Sequence, residues 1–139
     1  MDDFEAVSGT MIDAMETHAA TLGVRGVALV ARMDEHGLSW VSRMKAVGAI
    51  KDVPADPAGH EYPGYNFIGI AYSKAAEMAD TKLNSGSKSR PAYQGEFGYQ
   101  GGRIRKVGSG YLLTVFSGAT GEQDLEIANA GINAFAGDN

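Results

Sequence analysis

Residues 112–135, LLTVFSGATGEQDLEIANAGINAF, read as a buried strand, a glycine turn and a capped helix in unbroken succession. Leu112, Leu113, Val115 and Phe116 form a short apolar run suited to the core of a sheet. Ser117, Gly118 and Gly121 interrupt it. Thr120 and Gln123 stand at capping-box spacing: a hydroxyl accepts from a backbone N–H one turn on, and an amide reaches back. Glu122, Asp124 and Glu126 put negative charge in the first turns, where the helix dipole favours it. Leu125, Ala128, Ile132 and Phe135 follow at helical spacing.

Working back from this unit, the chain resolves into helices and turn-linked strands. Asp3 to Leu22 predicts a first helix, with Val7, Met11, Ala14, Met15, His18 and Leu22 along one face and Gly23 to end it. Residues 24–33 read as a strand and residues 38–43 as its partner, joined by a hairpin loop at Asp34–Gly37. Residues 44–50 are expected as a short helix before a loop containing Pro54, Pro57 and Pro63. A second long helix is expected over residues 65–83. Strands are expected around 92–97, 103–107 and 111–116. Tight turns between strands imply antiparallel pairing. The predicted fold class is therefore α+β: a single antiparallel sheet of about five strands with helices packed on it. One domain over residues 1–139 suits this length.

Composition narrows the partners. The 139-residue chain is 44% hydrophobic and 21% charged, proportions that suit a folded domain rather than a disordered one. It has no cysteine, which excludes disulfides, thiolate zinc sites and cysteine-ligated iron–sulfur clusters. A formal net charge of −5 argues against nucleic acid as a partner. No apolar run approaches the roughly 20 residues of a membrane helix. MDDFEAVSG has no apolar leader, so a cytoplasmic location is expected, with an exported and processed form left open. Apolar helix faces and a hairpin bearing Trp40 and Val41 predict a homo-oligomer.

Several residues could carry chemistry. His18 falls within the apolar stripe of the first helix, where an imidazole needs a partner, whether a backbone carbonyl or a ligand. Gly101 and Gly102 would let backbone approach a ligand closely, and Arg103 beside them could take a carboxylate with two parallel bonds. A tight strand-to-strand turn would use the same glycines. Between Lys82 and Lys106 the basic residues, Arg90 among them, face Glu96 as the one acid. They could receive an anion or form a solvated surface. Arg43 could face a pocket or pair with an acid. His36 and His60 lack the spacing of a zinc site. No phosphate-binding Gly-Lys-Ser/Thr loop and no Gly-x-Ser-x-Gly elbow is present.

SGATGEQDLEIANAG, residues 117–131, resembles the closing signature of the GlcG/HbpS-like proteins, the haem-degrading or DUF336 family. Residues 14–46 resemble that family's first helix, first strand, Asp-x-x-Gly turn and Arg-Met-x-Ala close. AYSKAAEMADTKL resembles its central Lys-Ala helix, and GGRI its Gly-Gly-x-Pro loop, with Ile104 and Arg105 standing where the family carries Pro. The resemblance implies a profilin-like or roadblock-like fold and an oligomer that binds a small molecule, haem or a related tetrapyrrole or corrinoid. It implies His18 as an axial ligand and the Gly101–Arg103 loop as a pocket border; with that ligand class, the basic residues Arg43, Arg90 and Arg103 would meet the propionates. Two other functions remain open at this point: a metal-independent enzyme acting on a small organic acid, and a protein-interaction module.

Overall fold

In a computed structural model, which describes residues 3–135, helix α1 spans Phe4–Leu22. The Asp3 side chain caps it by accepting from Ala6 N–H at 3.1 Å. Gly23 ends it with a φ of 69°, a left-handed turn that a glycine adopts without strain. Strand β1, Gly26–Asp34, follows, and a hairpin leads into β2, Trp40–Val47. Two short strands, β3 at Lys51–Asp52 and β4 at Tyr65–Asn66, pair with each other and flank the proline-rich loop. Helix α2 covers Phe67–Thr81, capped by Asn66. Strands β5, Gly102–Val107, and β6, Gly110–Ser117, form a second hairpin. Helix α3, Gly121–Asn133, closes the fold with the capping box of Thr120 and Gln123 in place.

The main sheet is antiparallel, in the order β2-β1-β6-β5. Helices α1 and α3 cover one face and α2 the other, giving three layers. Side-chain alternation sorts the core accordingly. Ala28, Val30, Leu112 and Phe116 pack with Met11, Met15, Ile127 and Ile132 on the α1/α3 face. Val27, Leu29, Leu113 and Val115 pack with Ala71, Ala75 and Met78 on the α2 face. The central strands β1 and β6 are buried on both faces, which is why they read as nearly continuous apolar runs.

The α+β class and the antiparallel pairing agree with the sequence reading. The main sheet has four strands, however, because residues 92–97 do not form one. Glu96 instead turns back to accept from Tyr93 N–H at 3.0 Å, and Gly95 and Gly98 have φ values of 94° and 69°. The expected helix at 44–50 is absent too. Strand β2 runs on through Met44, Lys45 and Ala46, which pair with Leu29, Ala28 and Val27. Cross-strand pairing here overrides a modest helical preference.

Candidate functional site

Lys74 of α2 and Asp124 of α3 form a buried ion pair that links the two layers beside the end of β6. Lys74 lies on the apolar stripe of α2, three residues after Ala71 and four before Met78, so its aliphatic stem is carried inward. Asp124, four residues before Ala128, points inward from the first turn of α3. Lys74 Nζ donates to Asp124 Oδ2 at 2.8 Å and to the Phe116 carbonyl at 2.8 Å. Asp124 Oδ1 accepts from Ala119 N–H at 2.9 Å. Both side chains are almost wholly buried, with 2% and 6% of their surfaces exposed. Burial pulls the lysine below its ordinary pKa and pushes the aspartic acid above its own, while each partner's charge opposes the shift.

Gly101 makes room for this pair. A Cβ at that position would lie 2.4 Å from Lys74 Nζ and 2.7 Å from the Asp124 Cβ, and its φ of 128° disfavours any other residue. Gly102 is likewise held against Met78 and Ser85. The two glycines therefore serve close packing between β5, α2 and α3.

A cavity of about 380 Å³ opens over the pair, lined by Tyr65, Ile70, Tyr99, Gln100 and the 117–121 turn. A second, more apolar cavity of about 370 Å³ shares Tyr65, Ile70 and Tyr99 and continues to Tyr62 and Phe97. Phe97 stacks on Tyr99 with ring centroids 5.4 Å apart. The two hollows form a groove with a buried charged pair at one end and exposed aromatic rings at the other.

His18 sits elsewhere, and on the border of the α1 stripe rather than in its middle. The buried line is Ser8, Met11, Ile12, Met15 and Ala19. The His18 side chain keeps 32% of its surface exposed and meets Glu126 of α3 through Nε2 at 2.5 Å. Arg43, on the opposite flank of α1, donates to the Glu5 carbonyl at 3.0 Å. Arg103 points to the α3 side of β5, where Nη1 donates to Asn129 Oδ1 while Nε is buried with no hydrogen-bond partner. Helix α3 thus stands between His18 and Arg103.

Arg90 is engaged within its own loop. It donates to Asp80 Oδ2 at 2.9 Å and to both Glu96 oxygens at 2.8 and 3.1 Å, and its guanidinium lies 3.5 Å from the Tyr93 ring centroid. Among the described residues, the six singled out from the sequence are therefore spread over separate places: His18 and Arg103 on two sides of α3, Arg43 against α1, Arg90 in its own loop, and Gly101 and Gly102 packed against α2. Lys74 and Asp124 were not among them. The available signal was a charged side chain on the apolar stripe of each helix. Among the described residues, no cluster of three or more His, Asp or Glu could hold a metal ion, and no helix is long and apolar enough to cross a membrane.

No protein-family model matches the chain, and no curated protein sequence does. The fold has clear counterparts among solved structures. This small three-layer α+β domain shares its fold with PduOC, solved in complex with haem. The TM-score is 0.63 at 17% identity, over 98% of this chain and 96% of that one. It also matches the Klebsiella pneumoniae protein ORFY, of the DUF336 family model, at TM-score 0.61 and 17% identity, over 94% and 88% of the two chains. HbpS matches at TM-score 0.52 and 18% identity, again over 94% and 88%. The resemblance read from residues 14–46 and 117–131 thus leads to the same set of proteins as the fold.

Proposed function

We propose that this protein binds a haem-type tetrapyrrole through His18. The observation that carries the reading is the pairing of His18 Nε2 with the Glu126 carboxylate on a half-exposed face. A histidine that ligates a metal commonly gives its other ring N–H to a carboxylate, which fixes the tautomer and raises the basicity of the free nitrogen. Glu126 would hold Nε2–H in this way and leave the Nδ1 lone pair for the iron. The haem-bound state of PduOC, which shares the fold along nearly the whole chain, supports the ligand class. Arg103 is held by Asn129 on the far side of α3, and Arg43 by the Glu5 carbonyl on the opposite flank of α1, so within one chain neither is placed to meet the propionates of a haem at His18. Arg90 is held by Asp80 and Glu96 and contributes to its loop instead. When bound, haem would supply a redox-active or ligand-accepting iron; His18 would hold it and Glu126 would orient the His18 ring.

Haemin titration followed by the Soret band tests this. Saturable binding is expected. His18→Ala should weaken it by about tenfold or more, the equivalent of about 1.4 kcal/mol. Glu126→Gln should weaken it less and alter the band position, because the ring would lose a charged partner but keep an acceptor. Equal titrations for wild type and His18→Ala would overturn the assignment.

A further inference from the structure

The groove that ends on Lys74 and Asp124 is a second site, whose lining does not include His18, and nothing in the tetrapyrrole reading uses it. We propose that it takes small aldehydes or ketones with an apolar or aromatic tail, and that Lys74 captures their carbonyl carbon as a Schiff base with Asp124 as the proton carrier. Three features carry this. First, the lysine is almost wholly buried yet is one of the residues that line a cavity, and its amine is held there by Asp124 and the Phe116 carbonyl. Burial favours the neutral amine, the nucleophilic form, and a carboxylate at 2.8 Å is placed to accept its proton. Second, a buried ion pair is a poor device for stability alone, since well-packed apolar side chains often do as well. Third, Tyr65, Ile70 and Tyr99 line both hollows, so a carbonyl group at Lys74 would extend its tail along them toward Phe97 and Tyr62.

The step balances without a further reactant. Lys74 passes a proton to Asp124, and the free amine attacks the carbonyl carbon to form a C–N bond. The nitrogen's proton moves to the former carbonyl oxygen, giving a carbinolamine. Asp124 then protonates that hydroxyl, the C–O bond breaks, and water leaves. The product is a protonated imine on Lys74, with Asp124 again ionised beside it. Gly101 matters because any side chain there would drive into the amine.

Borohydride trapping on the wild-type protein tests this without relying on a variant to fold. The protein is incubated at neutral pH with benzaldehyde or, separately, acetaldehyde, then reduced and mapped by peptide mass spectrometry. The chain has five other lysines, which serve as internal controls. The expected result is a single adduct at Lys74, formed at least about tenfold faster than at any other lysine and faster with benzaldehyde than with acetaldehyde. Asp124→Asn should slow trapping at Lys74 while leaving the other lysines unchanged. Adducts confined to the exposed lysines would overturn the proposal. Equal rates for the two aldehydes would remove the aromatic groove from it. Haemin titration of the same sample reads His18 separately, so failure at one site is distinguishable from failure at the other.

Discussion

Lys74 and Asp124 show how a buried pair depends on both members. Removing one leaves the other charge uncompensated inside the protein, which costs about 3–5 kcal/mol. Lys74→Met should therefore lower unfolding stability by that order in urea denaturation. Adding Asp124→Leu to Lys74→Met should recover most of the loss, since no charge then remains. Recovery should stop short of wild type, because Ala119 N–H loses its acceptor, worth about 1 kcal/mol. A Lys74→Met protein as stable as wild type would mean that the pair is solvated and the packing is different. At this scale the sequence was partly legible. Helical spacing puts Lys74 and Asp124 on inward faces, but each residue type also has an ordinary surface role. The pairing joins positions fifty residues apart, and no local pattern carries that information. His18 shows the converse. Its spacing put it within the apolar stripe, but the rotation of α1 against α3 brings it to the border, where Glu126 meets it.

The loop between α2 and β5 is organised by a charge cluster in place of backbone pairing. A strand was expected around residues 92–97, yet the Tyr93 and Phe97 rings are exposed and belong to no sheet face. Arg90 is the centre, binding Asp80, Glu96 and the Tyr93 ring. Its hydrogen bonds are the main reason the Glu96 carboxyl ionises below its ordinary 4.5; burial opposes them, and Tyr93 N–H adds to them. A carboxylate whose folded pKa is depressed stabilises the fold above its unfolded pKa and loses that contribution as pH falls through the folded value. The loop should therefore stay closed at pH 5 and above and loosen only below pH 4.5. Amide exchange at Tyr93 should then accelerate, after correction for the intrinsic pH dependence of exchange. Glu96→Gln should show fast exchange at pH 6 already. Unchanged protection in that variant would place the hold on Tyr93 elsewhere. Helices α1 and α3 were legible because their caps and stripes are local. Strand β2 was shortened in the sequence reading because Met44–Ala46 is extended only through its pairing with β1.

For the molecule as a whole, the shared fold with PduOC and HbpS describes an architecture, and function has to be read from what this chain places on it. One such feature is the outer strand. Among the described residues, β2 pairs only with β1, leaving its other edge open. Leu38, Trp40 and Val41 are 86%, 44% and 38% exposed at the start of this strand and its hairpin. An edge with unpaired backbone groups and apolar side chains is a ready surface for another copy of the chain. The protein is therefore expected to self-associate through β2. Light scattering at concentrations on the order of tens of micromolar, adequate for a specific interface, should give a multiple of the 14.6 kDa chain mass. Val41→Lys should shift the mass toward the monomer, because a lysine on an open edge opposes strand pairing. Its circular dichroism should stay unchanged, since Val41 lies outside the core. A wild-type chain that remains monomeric at that concentration would refute the interface. A Val41→Lys protein that still associates would move it from β2 to another exposed surface, of which the Tyr62–Phe97 groove is the nearest in character.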